Sequence, residues 1–121
     1  MLCLVAWIGA FTATHVPLNR VMRDMEFQPS DVWLHMVGYF GLTTIFLLTM
    51  FARRWRRYRR LVTILHVIPI YGVIDELTQP LVGRTAAVTD WLANIAGMIL
   101  AIALIEGLAA WRSRRTATPA A

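Results

Sequence analysis

The sequence predicts an all-α integral membrane bundle of four transmembrane helices with both termini cytoplasmic. Three observations lead there. Of the 121 residues, 58% are hydrophobic and only 16% are charged, too apolar a balance for a small soluble domain, most of whose surface must be polar. The apolar residues gather in four runs, with the charges clumped around them. The basic charge is concentrated in Arg53–Arg60 (RRWRRYRR) and Arg112–Arg115 (RSRR), as in segments that fix the inside of a membrane protein. A chain of this length is a single domain, residues 1–121.

The first run, 1–16, would be about 24 Å long as a helix, and Pro17 closes it. It lacks the basic start of a signal peptide and carries Thr12, Thr14 and His15 at its far end, so a first span is expected. Its shortness would be explained by a start codon assigned a little late. Residues 32–52 hold no formal charge and would measure about 31 Å, which matches a bilayer core. Residues 61–74 are too short alone, but suffice if the helix continues to Leu77, making a span of about 61–77 with Asp75 and Glu76 at the interface. The last span covers about 90–111, and Glu106 near its basic end is expected to snorkel toward Arg112.

Charge orients the bundle. The loop 53–60 and the C-terminal RSRR are expected inside, while the loop 17–30 balances Arg20 and Arg23 against Asp24 and Glu26 and belongs outside. Trp33 and Trp91 then fall at the outer ends and Trp55 and Trp111 at the inner ends, as an aromatic belt requires. The net charge of +5 and pI near 10.7 would point to nucleic acid in a soluble protein. Here half of the arginines lie in one loop between apolar runs, so nucleic-acid binding is not expected, and anionic lipid headgroups are the natural partners. Cys3 is the single cysteine; no intrachain disulfide can form, and a buried small hydrophobe is its expected role.

The informative feature is polar. Asp31, His35 and Tyr39 share one helical face at the outer end of the second span. Asp75, Glu76 and Gln79 lie at the outer end of the third. Asp90 and Asn94 share a face at the outer start of the fourth, and Arg84 sits in the QPLVGR connection. Three helices thus bring ionisable groups to one membrane surface, where such groups are costly and mark functional sites. Each residue also has a structural role open to it. Asp90 could cap its helix, Asn94 could be interhelical glue, and Gly38, Gly41 and Gly97 could be close-packing positions. His35 could be held by Asp31, and Asp75–Glu76 with Arg84 could be an ion network fixing the hairpin. His15 and His66 have no such neighbours in sequence and are expected to be structural.

These residues carry a resemblance. DVWLHMVGY resembles the first motif of VanZ-like membrane proteins, an aspartate followed four residues later by histidine and then by tyrosine. YGVIDELTQPLVGRTAAVTDWLANIAG is similar to that family's second motif: Asp-Glu-x-x-Gln, Gly-Arg, then Asp-x-x-x-Asn-x-x-Gly. The match covers roughly Val16 to Ile105, and it departs at Val32, where family members commonly have lysine. The resemblance implies a small multi-helix protein of the bacterial inner membrane. The family takes its name from a member linked to glycopeptide (teicoplanin) resistance.

Three functions remain open on sequence. One is binding of cell-envelope lipid, a lipid-linked component or a glycopeptide at the outer face, by Tyr39, Gln79, Arg84, Asp90 and Asn94. A second is an enzyme acting on a lipid-linked substrate, with His35 as acid or base, Asp31 orienting it, and Asp75 or Glu76 as further catalytic candidates. A third is a small transporter, which would need oligomers to build a path. No cofactor and no metal are expected; His35 and the carboxylates could take a divalent ion, but no local ligand spacing such as HExxH is present.

Overall fold

The computed structural model describes residues 2–15 and 30–117, so the outer loop expected at 17–30 lies, but for Ser30, outside the described residues. The described chain is helical: α1 (Leu2–His15), α2 (Asp31–Ala52), α3 (Arg57–Thr78), a 3-10 turn (Gln79–Val82) and α4 (Val88–Ala117). Among the described residues, three helical stretches are long and apolar enough to cross a membrane: Asp31–Ala52, Arg57–Val82 and Val88–Thr116. The described α1, with 14 residues, measures about 21 Å and is shorter than a bilayer core of about 30 Å.

Helix α2 begins where the backbone carbonyl of Ser30 accepts from the N–H groups of Trp33 and Leu34, with Asp31 in the first turn favoured by the helix dipole. It ends in a tight reversal in which Arg54 takes φ 56° and Trp55 N–H donates to the Met50 carbonyl. Helix α3 then starts at Arg57, inside the expected basic loop. Arginine is a good helix former, and the early start lets Arg60 turn inward. Pro69 interrupts the hydrogen-bond ladder of α3, and there Trp91 Nε1–H of α4 donates to the Pro69 carbonyl at 3.3 Å.

The core is a seam along α2, α3 and α4, filled by Tyr39, Leu42, Leu47, Met50, Ile64, Ile68 and Met98. Large apolar side chains on the opposite faces, among them Val37, Leu65, Ile70 and Ile99, stay exposed, as lipid-facing positions do. The principal helix pairing is α2 against α4, and Gly97 makes it possible. A Cβ at Gly97 would fall on the backbone carbonyl oxygen of Met36 and lie 2.9 Å from the Phe40 nitrogen, so the two backbones touch there. Gly38 and Gly41, also candidates for close packing, have nothing within 4 Å of a Cβ.

Glu106 does not snorkel to Arg112. It is buried and takes a two-pronged contact from Arg60, Nε to Oε1 at 2.9 Å and Nη2 to Oε2 at 3.1 Å. Arg57 Nε stands 3.3 Å from Oε2. The Arg60 guanidinium also donates to the Trp55 carbonyl and lies 3.7 Å from the Phe51 ring centre. A carboxylate this deep finds a buried fork of donors more favourable than a reach to the surface.

Candidate functional site

The polar residues converge at the end of the bundle where α2 and α4 begin and α3 ends. His35 lies in the second turn of α2, Glu76 in the last turn of α3, and Asp90 and Asn94 in the first two turns of α4. All are buried: His35 2%, Glu76 6%, Gln79 0%, Asp90 6% and Asn94 1% exposed. His35 Nδ1 is 3.0 Å from Asn94 Oδ1 and 3.5 Å from Glu76 Oε1, while its Nε2 is 3.9 Å from Asp90 Oδ2. An amide oxygen can only accept, so Nδ1 carries the proton and the bond fixes the ring's orientation.

Glu76 joins the cluster to the connection. Its Oε2 accepts from the Ala87 backbone N–H at 3.2 Å, satisfying a donor at the start of α4 that has no intrahelical partner. Its Oε1 accepts from Gln79 Nε2 at 3.4 Å. Gly83 makes the turn possible by adopting φ 76°, conformational space that a side chain rarely enters, and Gln79 and Arg84 are tied across it by a backbone bond.

Asp75 and Glu76 are adjacent and therefore about 100° apart around α3. The structure uses both directions. Asp75 faces away from His35, accepting from the Tyr39 hydroxyl at 3.3 Å and standing 3.5 Å from His15 Nδ1. His15 Nε2 lies 2.9 Å from the Thr78 hydroxyl. Sequence spacing gave His15 no neighbours, because the contact depends on how α1 docks. His66 is exposed, and its Nδ1 lies 2.8 Å from the Val62 carbonyl of its own helix.

Two assignments change. Asp31 does not orient His35; it is exposed and meets Arg84 Nη2 at 3.3 Å, because the second-helix face turns His35 inward while its first residue lies at the rim. Asp90 does not cap α4, which begins at Val88; it sits within the first turn, where its charge is favoured by the dipole.

Beside Glu76 an apolar groove of about 360 Å³ opens between α3 and the start of α4, lined by Val73, Leu77, Ala86, Ala87, Val88 and Trp91. Gly72 leaves room for the Trp91 ring that forms one wall, since a Cβ there would come within 3.3 Å of Trp91 Cδ1.

A family model described as VanZ/LLP1 matches residues 3–110. The chain belongs to the VanZ/LLP1 family. No curated protein and no solved structure matches it. With its family and three helices of spanning length, this VanZ/LLP1 chain is a membrane protein. The histidine, acidic and amide residues that carry the resemblance lie at one end of the bundle, in two groups: His35, Glu76, Gln79, Asp90 and Asn94 on one side of α3, and Tyr39 with Asp75 on the other. Asp31 and Arg84 form a rim above them.

Three buried atoms of the VanZ/LLP1 cluster have no hydrogen-bond partner: His35 Nε2, Gln79 Oε1 and Asn94 Nδ2. An unsatisfied buried polar atom costs about 1–3 kcal/mol, and three such atoms stand together in this cluster.

Proposed function

We propose that this protein is a four-span protein of the bacterial inner membrane, termini cytoplasmic, whose outer-face polar site binds a cell-envelope lipid or lipid-linked component. The observation that supports it is the pairing of a buried, incompletely satisfied polar cluster with an apolar groove that reaches Glu76. An acyl or prenyl chain suits the groove, and a polar headgroup suits the donors and acceptors of Gln79, Asn94 and His35. Arg84 would exchange Asp31 for a headgroup phosphate or carboxylate, which a guanidinium holds bidentately. Binding lipid-linked envelope material is also the route by which such a protein would alter glycopeptide susceptibility.

A second reading, an acid–base enzyme on a lipid-linked substrate, is favoured by one detail. His35 Nε2 is buried without a partner, while Nδ1 is fixed by Asn94. A ring held at one nitrogen and open at the other is the arrangement a general base needs.

The two readings separate in a comparison of envelope lipids and peptidoglycan precursors between deletion cells and cells complemented with wild type, His35→Ala or Glu76→Gln. Glu76→Gln keeps an oxygen for the Ala87 N–H, so the variant is expected to fold. Both variants are expected to behave as the deletion. A change in covalent lipid structure on complementation indicates an enzyme; unchanged structures with altered lipid retention by the purified chain indicate binding. Wild-type behaviour of both variants contradicts the site.

A further inference from the structure

His35, Glu76 and Asp90 come from three helices, all buried, and one ligand atom from each lies within 4.8 Å of the others. We propose that they hold a first-row divalent metal ion, zinc or manganese in kind. The chemistry of the set matches: imidazole suits zinc and iron, and carboxylates suit manganese and magnesium.

The tautomer supplies the first argument. Nδ1–H of His35 donates to Asn94 Oδ1 at 3.0 Å, which leaves Nε2 facing Asp90 Oδ2 at 3.9 Å. Nε2 has no hydrogen-bond partner. A buried ring nitrogen and a carboxyl oxygen that face each other without a hydrogen bond leave a gap that a cation can fill. Ligand atoms around a four-coordinate ion with bonds near 2.1 Å stand about 3.4 Å apart, and one ligand atom from each of the three groups already lies within 4.8 Å of the others.

Charge supplies the second. Glu76 and Asp90 place two acidic groups in a site almost without water contact, and buried charge is tolerated only when compensated. An imidazolium offers one positive charge, whereas a divalent ion offers two and leaves His35 neutral.

The third is the surrounding shell. Metal-bound histidine commonly donates its other ring N–H to a neighbouring oxygen, and bound carboxylates are themselves hydrogen-bonded. Here Asn94 receives the histidine proton, and the Ala87 N–H and Gln79 Nε2 donate to Glu76. Three protein ligands leave a position for water or substrate, next to the apolar groove. This inference rests on the cluster being a ligand site but not on the ligand being lipid.

The test uses the full chain in detergent, tag removed, carrying Cys3→Ala so that no thiol competes. It is stripped with chelator and titrated with Co²⁺, read by visible d–d absorption and equilibrium dialysis. One Co²⁺ per chain is expected, displaced one for one by Zn²⁺. Asp90→Asn and His35→Ala should abolish the bands, Asn94→Leu should weaken binding by about 10–100-fold, and His66→Ala should leave it unchanged. No visible bands in the folded wild-type chain, or binding by Asp90→Asn equal to wild type, overturns the proposal. Metal binding with no envelope phenotype would retire the lipid reading alone. An envelope phenotype in a chain that binds no Co²⁺ would retire the metal alone.

Discussion

Replacing Gly97 by alanine is expected to separate α4 from α2 and greatly reduce the folded fraction of the protein. The added methyl group meets backbone, the Met36 carbonyl and the Phe40 nitrogen, and neither can turn aside as a side-chain end would. Overpacking of a fitted interior costs about 1–3 kcal/mol, and this contact lies in the main helix pairing. Membrane helices associate through just such small-residue contacts, since lipid gives no hydrophobic drive. Relief by sliding α4 would pull Asn94, one turn away, off His35. Gly38→Ala and Gly41→Ala are the controls: with open space around both positions, they are expected within about 0.5 kcal/mol of wild type. Thermal unfolding in detergent, followed by far-ultraviolet circular dichroism, checks all three. A Gly97→Ala melt equal to the controls would contradict the α2–α4 packing described.

Removing Arg60 is the second large effect. Arg60 and Glu106 are 7% and 5% exposed, and the remaining partner, Arg57, approaches from a position 68% exposed. Breaking a buried pair by deleting one member leaves an uncompensated charge and typically costs about 3–5 kcal/mol. Arg60→Met should therefore destabilise the bundle by roughly that amount, less what Arg57 recovers. The double variant Arg60→Met/Glu106→Leu should regain most of the loss, since replacing both charges by apolar groups of similar size is often neutral. A double variant as unstable as the single one would show that the cost lay in lost arginine packing against Phe51 rather than in the stranded carboxylate. The same thermal melts read both.

Much of the site was legible before any coordinates. The spacing of His35 and Tyr39, and of Asp90 and Asn94, places each pair on one helical face, and charge asymmetry places those faces at one end. Local periodicity does not say how a helix is rotated against its neighbours. That rotation is fixed by the Gly97 contact, which turns His35 to Asn94 and sends Asp31 out to Arg84. It also divides Asp75 from Glu76, so two adjacent acids serve different groups. Glu106 was misplaced for a related reason: Arg60 became available only because α3 starts four residues before the expected span, at Arg57. The His15 contacts depend on α1 docking against residues some sixty positions away, for which no local rule exists. The three proposed metal ligands could show no local spacing in the sequence, because His35, Glu76 and Asp90 each come from a different helix.

The proposed function requires the cluster to face outward, where lipid-linked envelope material can reach it. Cysteine labelling in intact cells tests this most directly and keeps the chain whole. In a Cys3→Ala background, Thr85→Cys in the α3–α4 connection and Arg56→Cys in the α2–α3 connection present exposed positions at the two ends of the bundle. A membrane-impermeant maleimide is expected to label Thr85→Cys in intact cells and Arg56→Cys only after lysis. Labelling of Arg56→Cys but not Thr85→Cys before lysis would place His35, Glu76 and Asp90 at the cytoplasmic face and contradict the proposed function.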